Sequence, residues 1–231
     1  MSGTIIDMHL HTTRGASDSN LSPSDLVAEA ARIGLSGINI TEHDRKWEGN
    51  VLREFRAQNE GLFIANGMEV STDLGHMIVV GLDAYYPGIR SLKRLRAIAD
   101  ERGAYVICAH PFRYFFDPVH FRRQGLEPFS LTPAQAAEQM PVFGLVDDIE
   151  VANGACTARE NEYALAVARV LGMTGTGGSD AHSTNGIAVA ATAFSKTIRE
   201  EPEMLEALHR GAHHPVVGLN TGAASRFGGK S

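Results

Sequence analysis

His9 and His11 follow the apolar run Thr4-Ile5-Ile6 and alternate with Met8 and Leu10. Residues i and i+2 of a strand share a face, so two imidazoles at this spacing can chelate one ion. Six of the ten histidines, His9, His11, His43, His76, His110 and His182, fall at the boundaries of apolar runs. Carboxylates join them there: Asp7, Asp18, Glu42, Asp44, Glu69, Glu150 and Asp180. Imidazole and carboxylate together suit Zn, Mn, Fe or a similar divalent ion. Each piece has an ordinary alternative when read alone. Thr41 to Asp44 reads as a polar loop, Gly67-Met68-Glu69 as a turn with a surface acid, and His76 as a satisfied histidine. Ala109-His110-Pro111 reads as a strand stop, and Gly177 to His182 as a flexible turn. Six such coincidences at successive strand ends are harder to accept than one metal centre. His120, His209, His213 and His214 lack this context and read as structural or surface residues.

For these residues to converge, the chain must bring its strand ends together. Short apolar runs alternate with helical patterns, which predicts βα units, an α/β fold and a mostly parallel arrangement. The predicted strands are Thr4 to Leu10, Gly37 to Ile40, Leu62 to Ala65, Met77 to Val80, Ala104 to Ala109, Leu145 to Val151, Ala188 to Phe194 and Pro215 to Leu219, with another strand end after Met173 to Thr176. Ser22-Pro23 opens a helix that Gly34 closes. Further helices are predicted over Arg90 to Arg102, where a solvated basic face is expected, and over Ala158 to Leu171. In parallel α/β barrels the C-terminal strand ends form the active-site face.

The chain has 231 residues, a size that suits a single α/β barrel domain. A net charge of −6 argues against a broad electrostatic grip on nucleic acid. Two cysteines, Cys108 and Cys156, are too few for a disulfide framework and read as reduced core residues. No basic segment leads into a long apolar stretch at the N-terminus, and no run reaches the length of a membrane helix. A cytoplasmic protein is expected. Phe112 to Phe129 is aromatic and irregular, and reads as a loop over a site. Residues 1–221 read as one domain and 222–231 as a flexible tail.

The motifs D-x-H-x-H-T at 7–12, S-D at 17–18, T-E-H-D at 41–44, G-M-E-V-S at 67–71, A-H-P at 109–111 and G-S-D-A-H at 178–182 resemble the polymerase and histidinol phosphatase (PHP) domain superfamily. The resemblance implies a distorted barrel of seven βα units with two or three divalent metal ions (Mn, Fe or Zn). It implies that His9, His11, Glu69 and Asp180 hold the first. Glu69 bridges to the second, completed by His76 and His110, and Asp18, His43 and His182 hold the third. Glu42 departs from the T-D-H-D of the family, a change beside a ligand rather than of one. Asp7 and Glu150 are expected to orient ligands or shape the pocket, since a bound imidazole donates its other N–H to an acceptor.

The chemistry this implies is phosphoester hydrolysis without a covalent intermediate. Two divalent ions about 3.5–4 Å apart share a hydroxide that attacks phosphorus, and they absorb charge on the phosphoryl oxygens. The leaving oxygen needs a proton or a metal, which the third metal, or His43 or His182 if that site is empty, supplies. Arg113 is the expected phosphate ligand, because guanidinium binds phosphate bidentately and related phosphatases carry an arginine near this place. Arg14, Arg45, Lys46 and Arg159 also follow strand ends but read as surface charges. Asn153-Gly154 lines the pocket or forms a plain turn. Phe112, Tyr114, Phe115 and Phe116 read as the apolar underside of their loop, with stacking on a substrate ring as the alternative. The expected substrate is a small phosphomonoester or a nucleotide. Other readings are a short-oligonucleotide exonuclease, an amidohydrolase and a catalytically silent metal-binding interaction module. An amidohydrolase of this kind needs a bridging carboxylated lysine, and Glu69 takes that role here.

Overall fold

The computed structural model describes residues 3–125 and 127–229. Residues 1, 2 and 126, and the last two of the expected tail, 230 and 231, lie outside the described residues. The apolar run around Ile5-Ile6 forms β1 (Ile5–Leu10), parallel to β2 (Gly37–Ile40), itself parallel to β3 (Phe63–Asn66). Between β1 and β2 lies α1 (Pro23–Ile33). Its first turn is fixed by the Ser22 hydroxyl, which accepts the Asp25 N–H, and by Pro23. Gly34 ends it at φ 71°, a conformation that glycine adopts without a Cβ penalty. On the other edge of β1 stand β9 (Ala190–Phe194), β10 (His213–Val217) and β11 (Ser225–Arg226), each antiparallel to its neighbour. This sheet runs β11-β10-β9-β1-β2-β3.

A second sheet holds β4 (Met68–Thr72), β5 (Gly75–Val80), β6 (Tyr105–Cys108), β7 (Asp148–Asn153) and β8 (Thr176–Gly178) in chain order. Among the described residues the fold is mixed α/β, with two sheets and seven helices. The other helices are α2 (Gly49–Gln58), α3 (Leu92–Arg102), α4 (Pro118–Gln124), α5 (Pro133–Gln139), α6 (Ala158–Leu171) and α7 (Glu201–His209). None among the described residues is long and apolar enough to cross a membrane. The sheets meet at two single parallel bridges, Leu10 with Ala181 and His43 with Glu69. The Thr192 hydroxyl adds a clamp, accepting the Gly177 N–H and donating to the Gly177 carbonyl, both at 2.8 Å. Ile6 and Met8 of β1 share a buried cluster with Ile78, Val80 and Ile107 of the second sheet.

Three expectations are corrected. The arrangement is not mostly parallel: parallel pairing is confined to β1–β2–β3 and β6–β7–β8, and the remaining pairs are antiparallel. In the second sheet the cause is the tight β4–β5 hairpin, which reverses the chain without a crossover helix. The 112–129 stretch is not irregular throughout, since it contains α4. Asp117 caps that helix through the Val119 N–H, Pro118 sits in its first turn and Gly125 ends it in the left-handed region. The helix expected over Arg90 to Arg102 is α3; it starts at Leu92 and is amphipathic, burying Leu92, Leu95, Ile98 and Ala99. In the stretch read as a tail, Ser225–Arg226 pairs with β10, Phe227 packs against the core, and the Gly228 carbonyl accepts from Arg169 at 2.6 Å.

Candidate metal centre

The side chain of Glu69, the second residue of β4, is buried and ringed by imidazoles. Its Oε1 lies 2.9 Å from His76 Nδ1, 3.1 Å from His110 Nε2 and 3.5 Å from His9 Nε2. Its Oε2 lies 2.9 Å from His43 Nδ1 and 3.4 Å from His11 Nε2. Asp180 Oδ1 approaches His11 Nε2 at 3.3 Å and His9 Nε2 at 3.5 Å. Asp18 Oδ2 stands 3.5 Å from both His43 Nε2 and His182 Nε2. The imidazole of His11 packs against both His43 and His182, with centroids at 4.2 and 4.5 Å. All nine residues singled out from the sequence therefore converge. Three sets of donor atoms lie close enough to share an ion: His9 with His11 and Asp180, His9 with Glu69 and His110, and His11 with His43 and His182.

The elements explain the convergence. β1 carries His9, and His11 follows its end. His43, His110 and His182 come from the loops after β2, β6 and β8. His76 arrives from the other direction, near the start of β5. That strand is antiparallel to β6, so its N-terminal end lies beside the C-terminal end of β6, and the His76 carbonyl accepts the Ala109 N–H at 2.9 Å. Backbone strain gathers at the same place. Asp44, His110, Tyr114 and Asp180 all have positive φ, at 51°, 29°, 65° and 55°, which a residue with a Cβ adopts only at a cost.

The surrounding polar groups fix the ligands. Glu150 Oε1 lies 3.0 Å from His9 Nδ1, so a proton held there leaves the Nε2 lone pair facing the cluster. Its other oxygen accepts the His110 N–H and the Asn153 amide, each at 2.9 Å. Asp7 does not touch an imidazole. It accepts the Ser179 N–H at 2.8 Å and the Ala188 N–H at 2.9 Å, and so holds the segment bearing Asp180 and His182. Burial pushes the Asp7 carboxyl up to about 6, against these hydrogen bonds. Glu42 turns to the Thr12 and Trp47 side chains. Without an ion, burial and the neighbouring imidazoles push the His11 pKa down to about 4, partly opposed by Asp180. For Glu69 burial works upward, but His9, His110, His43 and His76 outweigh it and hold the carboxyl well below its usual range. Asp180 is likewise lowered against burial, by His9, His11 and Arg113. Buried donors on His9, His11, Glu69 and Asp180, joined by more open ones on His43, His76, His182 and Asp18, fit a cluster of borderline divalent ions.

Arg113 reaches the centre: its guanidinium contacts Asp180 and, at 2.9 Å, Asn153 Oδ1. The Asn153-Gly154 stretch thus borders the site. The other candidate cations stand apart. Arg14 lies over the Trp47 ring at 5.4 Å, Lys46 donates to the Leu82 carbonyl, and Arg159 lies over the Phe116 ring at 4.3 Å. Phe112 is core, and Phe115 and Phe116 pack with Phe129. Tyr114 differs: it is 55% exposed and stacks on His120 at 5.4 Å. His213 is buried against Asp148 at 3.0 Å, and His209 meets the Gly103 carbonyl. Cys108 and Cys156 are free thiols, pushed by burial up to about 12 and about 11. Sequence reasoning missed Glu160. It is buried, caps α6 through Thr157 and accepts the Tyr114 N–H at 2.6 Å beside Arg113. The capping-box pattern Thr157-x-x-Glu160 was the available signal.

Comparison with known proteins bears on this geometry. The family model described as PHP-associated (PHP_C) matches residues 158–213, the span carrying Asp180 and His182. The fold is similar to that of PsfC from Pseudomonas syringae PB-5123, with TM-score 0.62 and 18% identity, over 94% of this chain and 93% of that one. It is also similar to a Bifidobacterium adolescentis protein named for a proposed metal-dependent phosphoesterase activity, with TM-score 0.55, 19% identity, 77% of this chain and 87% of that one. An amidohydrolase from Chromobacterium violaceum, solved with sulfate and no metal, gives TM-score 0.55 and 16% identity over the same shares, 77% and 87%. No curated protein matches the chain.

Proposed function

From the assignment to the PHP superfamily, which the family match and the fold likenesses support, we propose that the chain is a metal-dependent phosphoesterase acting on a small phosphomonoester or nucleotide. The observation that carries this reading is one buried carboxylate, Glu69, within 3.5 Å of five imidazoles and beside a second carboxylate and an arginine. Two or three ions of Mn, Fe or Zn would be held as follows: His9, His11, Glu69 and Asp180 at the first position, Glu69, His76 and His110 at the second, and Asp18, His43 and His182 at the third. When bound, the ions supply Lewis-acid activation of water and neutralise charge on the phosphoryl oxygens. The two sheets, joined at Leu10–Ala181 and His43–Glu69, are read as arcs of a distorted barrel.

The residues of the chain do the rest. Arg113 binds the phosphoryl oxygens through paired N–H donors. Water oxygen bonds to phosphorus as the ester P–O bond breaks; the water gives up a proton to solvent and the leaving oxygen takes one, unless the third ion holds it. With the third position empty, His43 and His182, whose side chains are 33% and 31% open, would be its donors. The amidohydrolase reading finds no bridging lysine, since Lys46 turns to the Leu82 carbonyl. The short-oligonucleotide exonuclease reading draws on a hollow of about 410 Å³ whose lining includes Arg14, Arg45 and Lys46, but Glu48 and Asp83 share that lining and the Trp47 ring is buried.

The test is phosphate release from phosphomonoesters, mononucleotides and short oligonucleotides, with Mn²⁺ and with EDTA. Metal-dependent release from one class is expected. Silence across the panel, from protein shown to hold its metals, overturns the reading and leaves a metal-binding interaction module.

A further inference from the structure

A hollow of about 350 Å³ opens directly beside the centre. One wall is His76, His110 and Arg113, all members of the candidate site. The remaining walls are apolar, built from Leu74, Pro111, Phe115, Met140 and Val142. Apart from those three site residues and the Cys108 thiol, no lining side chain offers a hydrogen-bonding group. A sugar or polyol placed against the apolar walls would lose water from its hydroxyls and gain no side-chain partner from Leu74, Pro111, Phe115, Met140 or Val142. An aryl or short alkyl group would instead bury apolar surface on both sides.

The lip of the hollow is firm. Leu74, 37% exposed, sits at the turn of the β4–β5 hairpin. The turn is pinned by Asp73, whose N–H donates to the Arg90 carbonyl and whose carboxylate accepts the Leu92 N–H at the start of α3, both at 2.8 Å. An exposed leucine on a rigid turn next to cationic and metal-ligating groups is a surface built for a ligand with one charged end and one apolar end.

We propose that this hollow seats the leaving group of the ester, and that the preferred substrates are phosphomonoesters of apolar alcohols, with Leu74, Phe115 and Met140 setting that preference. The proposal rests on the phosphoesterase reading for its turnover, and on the hollow alone for its binding. The test uses the metal-loaded chain with benzyl phosphate and glycerol 1-phosphate, two esters of alcohols whose chemistry at phosphorus is similar. The kcat/KM for the benzyl ester should exceed that for the glycerol ester at least tenfold. Leu74→Asp and Met140→Gln should each shrink that ratio several-fold, mainly through KM. In parallel, benzylphosphonate should bind at least tenfold more tightly than methylphosphonate by calorimetry, and both variants should erase the gain. Because Leu74 is exposed, its substitution leaves the core intact. If neither ester turns over but the benzyl gain in binding survives, the phosphoesterase reading fails and the hollow stands. Equal binding of the two phosphonates, or a ratio the variants do not move, overturns the proposal.

Discussion

Arg113 is poised between two tasks, touching Asp180 and Asn153 while lining the hollow beside His76 and His110. Its pKa is raised despite burial, by Asp180 above all, so it carries charge at every working pH. Arg113→Ala is expected to lower kcat/KM about 10²–10³-fold, the usual cost of removing one donor aimed at developing charge. Arg113→Lys should recover only part of this, because an ammonium cannot present paired donors. Steady-state kinetics on the metal-loaded protein decides it, and a near-normal alanine variant removes Arg113 from the site. Glu150 acts one step further out, through His9. Glu150→Gln should weaken metal affinity about 10–100-fold, read by metal titration. An unchanged affinity shows that His9 does not depend on this partner.

At the scale of elements, β8 must lie very close to β1 for Asp180 to meet His9 and His11. Gly178 makes this possible. A Cβ there would come within 2.4 Å of His9 Cβ, 2.6 Å of Glu150 Oε1 and 2.8 Å of the His9 nitrogen. Gly178→Ala should therefore destabilise the fold by about 1–3 kcal/mol and reduce bound metal. Gly61→Ala, with open space around it, should leave thermal stability nearly unchanged. Comparable melting temperatures for the two variants would contradict the close approach. This spacing shows what a sequence discloses and what it withholds. β1 was legible because its run is apolar and ends in alternating histidines, and α1 because Ser22, Pro23 and Gly34 mark both ends. β4 was not, because Met68–Thr72 is short and three of its five residues, Glu69, Ser71 and Thr72, are polar. Glu69 was found by motif and not as a strand residue. The direction of β5 was invisible too, since strand periodicity carries no sign of pairing sense. α2, α5 and α7 escaped because their exposed, polar faces outweigh few buried positions, only Leu52 in α2 and Ala136 in α5. The nine clustered residues were legible one by one, but their mutual distances belong to the tertiary fold.

Across the whole molecule, the cluster joins the two sheets. His9 and His11 belong to the first sheet's edge of the site, Glu69, His76 and His110 to the second, and His43 bridges to Glu69 through backbone and side chain. Ions shared across that boundary would stabilise the native state by mass action, by about 2.7 kcal/mol at a hundredfold excess over Kd. Stripping with a chelator should then abolish turnover and lower the melting temperature by roughly 5–10 °C for a chain of this size, with recovery when metal is restored. A melting temperature indifferent to chelation would separate the cluster from folding. The separation in sequence has a further consequence. His9 and His11 leave the ribosome well before Asp180 and His182, which lie about 170 residues further along the chain. Until then the two imidazoles lack the Asp180 carboxylate that faces them in the finished protein. A ribosome stalled before residue 180 thus holds a nascent chain that could not complete the proposed centre, however much metal surrounds it.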